Sequence, residues 1–136
     1  MTTVAKLVTR SLRLLRVIDA VQPVKPQDME TAIEALNAML RRWEANGIAL
    51  GWQPVANPSD TLPLPDEAEE VVAYNLALTL QPEFNGGDLD ISVVAVARNG
   101  YALLQRDNAV ANPLTWDRCD FVGYNTYTDG PGYTRR

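Results

Sequence analysis

The fold of this chain is decided by residues 27–47, which read QDMETAIEALNAMLRRWEANG. Apolar side chains recur there at positions i, i+3, i+4 and i+7, the spacing that gathers them on one face of a helix. That face holds Met29, Ala32, Ile33, Leu36, Leu40 and Trp43. Arg41 and Arg42 lie in the last turns, where positive charge complements the helix dipole, and Asn46-Gly47 is a typical C-terminal stop. The stretch therefore predicts an amphipathic helix over residues 27–45.

Three further helices are predicted around this one, giving an all-α fold with a four-helix core. The first runs over residues 3–20 and is also amphipathic. The third begins at Asp66, a candidate N-cap with Glu69 as its capping-box partner, and ends before Pro82. It is apolar on nearly all sides, so we expect it to be the central and most buried helix. The fourth covers residues 89–108, with Ile91, Val94, Ala97, Tyr101 and Leu104 on one shared face.

The connection between the second and third helices has a different composition. Residues 48–65 contain four prolines beside the apolar side chains of Trp52, Val55, Leu62 and Leu64. Flexible linkers carry fewer large apolar groups than this. The composition therefore predicts an ordered Pro-rich loop.

Beyond Ala111 the helical period stops, although aromatic residues continue to occur. The aromatic residues there are Trp116, Phe121, Tyr124, Tyr127 and Tyr133. We therefore divide the chain into a helical core, residues 1–111, and an extended, non-helical, aromatic C-terminal arm, residues 112–136. Aromatic side chains are enriched where proteins dock, which favours binding of the arm to a neighbouring chain. Folding of the arm back over its own helices is the alternative that stays open.

The residue types argue against catalysis and against a cofactor. The chain has no histidine and a single cysteine, Cys119. Ser–His and Cys–His nucleophile pairs and the common metal-ligand spacings are therefore missing, and no glycine-rich phosphate loop is present. The remaining enzymatic alternative is a peptidoglycan hydrolase with a Glu/Asp pair, drawn from Glu67, Glu69, Glu70, Asp88 and Asp90. No apolar run is long enough to predict a membrane span.

Positive charge is concentrated near the start of the chain. The net charge is -5, from 12 basic and 17 acidic residues, so DNA is not the obvious main ligand. Lys6, Arg10, Arg13 and, at the margin, Arg16 nevertheless lie opposite the apolar side of the first predicted helix. Such a stripe is a solvated face, a membrane-surface face, or a face toward an acidic partner or DNA phosphates. A DNA-binding module using these four residues is thus a second alternative function.

Two stretches of the chain resemble a known family. The first is residues 36–44 followed by 47–52, and the second is residues 61–70 running into 74–78. In order and spacing they are similar to the head-to-tail adaptors, or tail accessory factors, of short-tailed bacteriophages, which are also called packaged DNA stabilization proteins. The resemblance covers residues 3–105 and does not extend to the arm.

The resemblance implies a structural virion protein, assembled in the host cytoplasm and placed at the head-to-tail junction. Its implied partners are the portal protein, copies of itself in a ring of twelve, and later tail proteins such as the hub or nozzle and the tailspike or fibre. Such a ring extends the DNA channel, retains the genome after packaging and is passed by it on ejection. Family members hold the portal through a C-terminal extension. The matching candidates for portal binding here are Trp116, Phe121, Tyr124, Tyr127, Tyr133, Arg135 and Arg136.

Overall fold

A computed structural model describes residues 2–84 and 88–111, with side chains as far as Asn108. Within these residues the helices are α1 (Val4–Leu14), α2 (Pro26–Ala45), α3 (Asp66–Leu80) and α4 (Ile91–Ala111). Two short strands, β1 (Thr2–Thr3) and β2 (Thr61–Leu62), pair in antiparallel orientation. The predicted all-α fold is confirmed. The arm and its candidate portal-binding residues lie outside the described residues.

Helix α3 is the centre of the fold, because α1, α2 and α4 all pack against it. Its buried side chains are Ala68, Val72, Ala73, Leu76, Ala77 and Leu80. This burial agrees with the prediction that the third helix is apolar on nearly all sides. The inner face of α1 is fixed to α3 by Ser11, whose buried hydroxyl lies 2.9 Å from the Ala73 carbonyl and 3.0 Å from the Leu7 carbonyl. Its single hydrogen is shared between these two acceptors.

The contacts between the helices fix their directions. Helix α1 runs roughly parallel to α3, since Thr2 meets Glu69 at one end and Arg13 to Val17 approach Phe84 at the other. Helix α4 runs antiparallel to α3, since Ala97 contacts Asn75 and Gly100 contacts Val71. Helix α2 is also antiparallel to α3, since Met39 contacts Thr79 and the later Trp43 contacts Tyr101, which follows Gly100. The C-terminal ends of α1 and α3 therefore lie together with the N-terminal ends of α2 and α4, and we call this the turn end. The opposite end, where α4 finishes at Ala111, is the arm end.

Helix α1 ends at Leu14, well before the predicted Ala20. The Arg16 amide donates to the Arg13 carbonyl at 3.0 Å, and the Val17 amide donates to the Leu12 carbonyl at 3.2 Å. These two bonds form a Schellman motif, which requires a left-handed residue just beyond the helix. That residue is Arg16, with φ 57°. The prediction was wrong because glycine, the usual marker of this ending, is not at the position.

Helix α2 ends with the same motif, as predicted. The Gly47 amide donates to Glu44 and the Ile48 amide donates to Trp43, both at 3.0 Å. Gly47 has φ +88° and takes the left-handed position. The helix begins at Pro26, which suits the first turn because its missing N–H would have no partner within the helix.

The connection between α2 and α3 is held by backbone and amide contacts. The Asn37 side chain donates to the Val55 carbonyl at 2.8 Å and accepts from the Val55 amide at 3.1 Å. The carbonyls of Asp60 and Pro58 accept hydrogen bonds from the Val4 and Ala5 amides at 3.0 and 2.9 Å. The connection therefore supplies the acceptors that the start of α1 needs.

The predicted start of α3 needs correction. Pro65 is the N-cap of α3, and Asp66 is instead the first residue of the helix, so Asp66 is not the N-cap of a capping box. One oxygen of Glu69 accepts a 2.7 Å hydrogen bond from the Thr2 hydroxyl. On the predicted shared face of α4, Ala97 is buried, whereas Ile91 at the start of the helix is 85% exposed.

The close packing of α4 on α3 depends on Gly100 and Asn75. A Cβ atom at Gly100 would lie 2.6 Å from a methyl group of Val71, so only glycine allows this separation. The Asn75 amide donates to the Val71 carbonyl at 2.8 Å and to the Ala97 carbonyl at 3.0 Å. Its two hydrogens are thus both used, one within α3 and one across to α4.

Candidate assembly surfaces

The basic residues of α1 form a surface with an apolar helix face behind it. Lys6, Arg10 and Arg13 line a shallow concavity of about 480 Å³ together with Ala5 and Thr9. Arg10 lies 3.3 Å from a carboxylate oxygen of Glu70, with its guanidinium carbon 5.6 Å from the centre of the Tyr74 ring. Among the described residues, Lys6 and Arg13 have no carboxylate partner. We call Lys6, Arg10 and Arg13 the basic face.

Arg16 departs from the predicted basic stripe. Because the helix ends before it, Arg16 lines a separate groove with Arg13 at the turn end. Arg13 also donates from its guanidinium to the Ala20 carbonyl at 2.9 Å and so holds the connection between α1 and α2. The four predicted residues therefore belong to two surfaces, with Arg13 between them.

The turn-end groove has charged walls of opposite sign and an apolar floor. It measures about 670 Å³ and is open to solvent. Arg13 and Arg16, from the end of α1, are its basic wall, Asp88 and Asp90, from the approach to α4, are its acidic wall, and all four are exposed. The floor is formed by apolar side chains of the α1 ending and of the approach to α4, namely Leu14, Leu15, Val17, Phe84, Leu89 and Val93. This combination provides apolar contact and recognition of both charge signs at one place.

A third depression, of about 500 Å³, lies along α2, α3 and α4. Trp43 and Tyr101 meet in it with ring centres 5.2 Å apart and planes tilted by 60°. The side-chain amide of Asn46 donates to the Tyr101 hydroxyl at 3.2 Å. The Asn108 side chain accepts from the backbone amide of Ala49 at 3.1 Å. These contacts tie the second half of α4 to the end of α2, so the depression is accounted for by packing.

The chain was compared with models of known protein families. Residues 1–128 match the model of the P22 tail accessory factor family. The chain belongs to the P22 tail accessory factor family. The match takes in all four helices and most of the arm, and it confirms the family resemblance seen in the sequence. No curated protein sequence matches the chain.

Membership makes the chain a structural tail component of a bacteriophage and hence part of the virion. No helix among residues 2–84 and 88–111 is long and apolar enough to cross a membrane. Across the same residues, no group of His, Cys, Asp or Glu side chains is placed to hold a metal ion.

The carboxylates considered for a hydrolase in this tail accessory factor have contacts of another kind. Glu69 accepts from Thr2, and Glu70 is the carboxylate beside Arg10. Both contacts fasten the N-terminal segment to α3. Glu67 is exposed at the start of α3, while Asp88 and Asp90 lie in the turn-end groove.

One functional candidate, the turn-end groove, was missed by sequence reasoning. Its basic wall depends on where α1 ends, and the ending is formed by an arginine in a left-handed conformation. Its acidic wall, Asp88 and Asp90, was noted only as a candidate carboxylate pair. Val21 and Ile91 are also exposed near the same end, and their exposure becomes apparent only in the structure.

Proposed function

We propose that this tail accessory factor is the head-to-tail adaptor of its phage. In this proposal twelve copies form a ring beneath the portal, extend the DNA channel, retain the packaged genome and provide the platform for later tail proteins. The single observation that carries the proposal is the family match, which spans the helices and continues into the arm. The proposal also takes the protein to be non-catalytic and to join the particle in the host cytoplasm.

The length of the arm supports its role as the link to the portal. In the sequence, residues 112–136 follow α4, which finishes at the arm end. Fully extended, 25 residues reach roughly 80 Å, far beyond the length of any helix in the core. The proposed anchors are Trp116, Phe121, Tyr124, Tyr127 and Tyr133, with Arg135 and Arg136 facing acidic portal groups. The division into core and arm at residue 111 belongs to the same proposal.

The experiment is a binding assay between purified portal rings and three forms of the full chain: wild type, a variant and a control. In the variant, the five arm aromatics are replaced by alanine, and a matched control carries Leu103→Ala on exposed α4. Sedimentation should show wild type and control joining the portal and the variant remaining free, with unchanged helical circular dichroism. A chain without residues 112–136 should behave like the variant. Normal portal binding by the alanine variant would contradict the proposed arm function.

The basic face supports a second role, contact with an anionic neighbour. Lys6 and Arg13 are exposed without carboxylate partners among the described residues, so they are available to phosphates or to acidic side chains. If DNA is the neighbour, Lys6→Gln with Arg13→Gln should reduce the salt-dependent shift of a DNA duplex, since each lost phosphate contact lowers the salt dependence. No shift by the wild-type protein at low salt would leave an acidic protein surface as the neighbour.

A further inference from the structure

The fold separates two ends of the molecule that have different chemistry. Helix α4 has 21 residues, which gives a length of about 30 Å between the arm end and the turn end. The arm leaves from one end, and the turn-end groove occupies the other. If the arm holds the portal, the groove lies on the side that faces away from it. This step rests on the proposed function.

We propose that the turn-end groove is the docking site for the tail protein that follows the adaptor. The groove selects a segment of that protein in which an apolar side chain stands between one acidic and one basic residue. The apolar side chain packs on the half-buried Phe84, Leu89 and Val93, the acid meets Arg16, and the base meets Asp88 and Asp90. Because both signs must match, the groove also fixes the direction of the docked segment.

The exposure of apolar residues beside the groove supports a partner at this end. Ile91 follows directly on the acidic wall and is 85% exposed, although it begins a helix. Val21 is 93% exposed, in the turn after Ala20, whose carbonyl is held by Arg13. Two large apolar side chains at one end of a small protein are more exposed than packing within the chain requires. A docked protein would cover them and gain the free energy of removing them from water.

The conformation of Arg16 supports use of its side chain. Among the described residues it is the only non-glycine with a positive φ. A left-handed conformation is strained for any residue with a Cβ atom, so glycine would suit the backbone better here. Backbone strain of this kind recurs at functional sites, where the side chain is needed in place. Arg16 thus has a strained backbone conformation and supplies a positive charge to the basic wall of the groove.

Two other occupants are outcomes of the test. One is the chain's own arm, which is long enough to reach the groove but is assigned to the portal in the proposed function. The other is a second copy of this chain. The docked segment is assigned to a different tail protein because the groove lies at the end of the fold opposite the end of α4, and the test separates the three cases.

The first experiment measures docking on complete portal–adaptor rings, with the purified next tail protein of the same phage as the probe. Arg16→Gly removes one of the two cations of the basic wall, and a double change, Asp88→Lys with Asp90→Lys, reverses the charge of the acidic wall. Arg41→Gln, on the exposed face of α2, is the charge control. Both groove variants should join the portal normally and bind the probe at least tenfold more weakly, while the control matches wild type. Arg16→Gly should also melt no lower than wild type, which separates lost docking from lost folding.

Each departure from these results has a distinct meaning. Normal probe binding by both groove variants overturns the proposal. Loss of portal binding by the groove variants, with the arm intact, also overturns it, because the groove would then face the portal. Failure of the wild-type chain to bind the portal refutes the adaptor function itself, and this conclusion does not depend on the groove variants.

The second experiment identifies the occupant directly. A photocrosslinking amino acid replaces exposed Ile91 in the full chain, and a control replaces exposed Leu103 farther along α4. In assembled particles, position 91 should crosslink to the next tail protein and position 103 should not. Crosslinks from position 91 to residues 112–136, or to another copy of this chain, would overturn the proposal in favour of that occupant.

Discussion

Helices α1 and α2 end with the same hydrogen-bond motif but use different residues to form it. Gly47 takes the left-handed position after α2, and Arg16 takes it after α1. The beginnings of the two helices differ in a similar way. Helix α2 starts at its own Pro26, whereas the first amides of α1 depend on the carbonyls of Pro58 and Asp60. The boundaries of α2 are therefore local to its sequence, and those of α1 are set by the rest of the fold.

The largest expected difference concerns the apolar residue that follows each left-handed position. Ile48 is 1% exposed, so Ile48→Ala should lower the free energy of unfolding by about 3 kcal/mol. Val17 is only half-buried, so Val17→Ala should lower it by about 1 kcal/mol. Urea denaturation of both variants measures the two values. Equal losses would mean that the α1 ending is packed as firmly as the α2 ending.

The next effect is the cost of a side chain at Gly47. A Cβ atom there would meet nothing within 4 Å, so Gly47→Ala tests backbone strain alone. We expect the free energy of unfolding to fall by about 1–2 kcal/mol, the cost of the left-handed conformation for a residue with a Cβ. Gly47→Asn is the matched control and should cost less, because asparagine tolerates this conformation. A neutral alanine variant would show that the α2 ending can change its backbone without penalty.

The reverse change at Arg16 should have the opposite sign. Arg16→Gly relieves the strained conformation but adds freedom to the unfolded chain, so we expect a gain of about 1 kcal/mol or less. Thermal denaturation at neutral pH measures it, with Arg16→Ala as a control that removes the charge and keeps the strain. If the glycine variant were less stable than the alanine variant, the side chain rather than the backbone would determine the ending.

The smallest effect concerns the loop that supports the start of α1. The Asn57 amide, and then the Ala56 amide, donate hydrogen bonds to the Asp60 carboxylate and hold its pKa below the ordinary value of 3.8. A lowered pKa stabilises the folded state above pH 3.8, and this contribution is lost as the pH falls through the folded value. Asp60→Asn should therefore differ from wild type above pH 4 and approach it in stronger acid. A difference that does not change with pH would exclude this carboxylate as the cause.

The comparison also explains which features could be predicted from the sequence. Helix α2, the stop before Pro82 and the central position of α3 follow from local periodicity, proline and glycine. The ending of α1 could not be predicted, because arginine has no preference for a left-handed conformation and takes it here through the Val17–Leu12 and Arg16–Arg13 bonds. Exposure of Ile91 could not be predicted either, since it fits the helical spacing and only the tertiary position of α4 leaves it uncovered.

The candidate surfaces were predictable to a similar, partial extent. Lys6, Arg10 and Arg13 do share one face, as their helical spacing indicates. The separation of Arg16 from that face follows from the α1 ending, so it became apparent only with the fold. Asp88 and Asp90 line one groove with Arg13 and Arg16 only because α1 runs parallel to α3 and both end beside the start of α4. Such proximity between distant parts of the chain has no signature in one sequence.

The dependence of α1 on Pro58 and Asp60 has a consequence for the order of folding during synthesis. Residues 2–5 leave the ribosome before their backbone partners and strand β2, which follow more than fifty residues later. Contacts between distant residues form slowly because a long loop must close first. Helix α2, whose boundaries are set by nearby residues, can be complete before that point. Residues 2–5 are therefore secured late, and in a stalled nascent chain that ends before residue 58 their amides should exchange hydrogen rapidly.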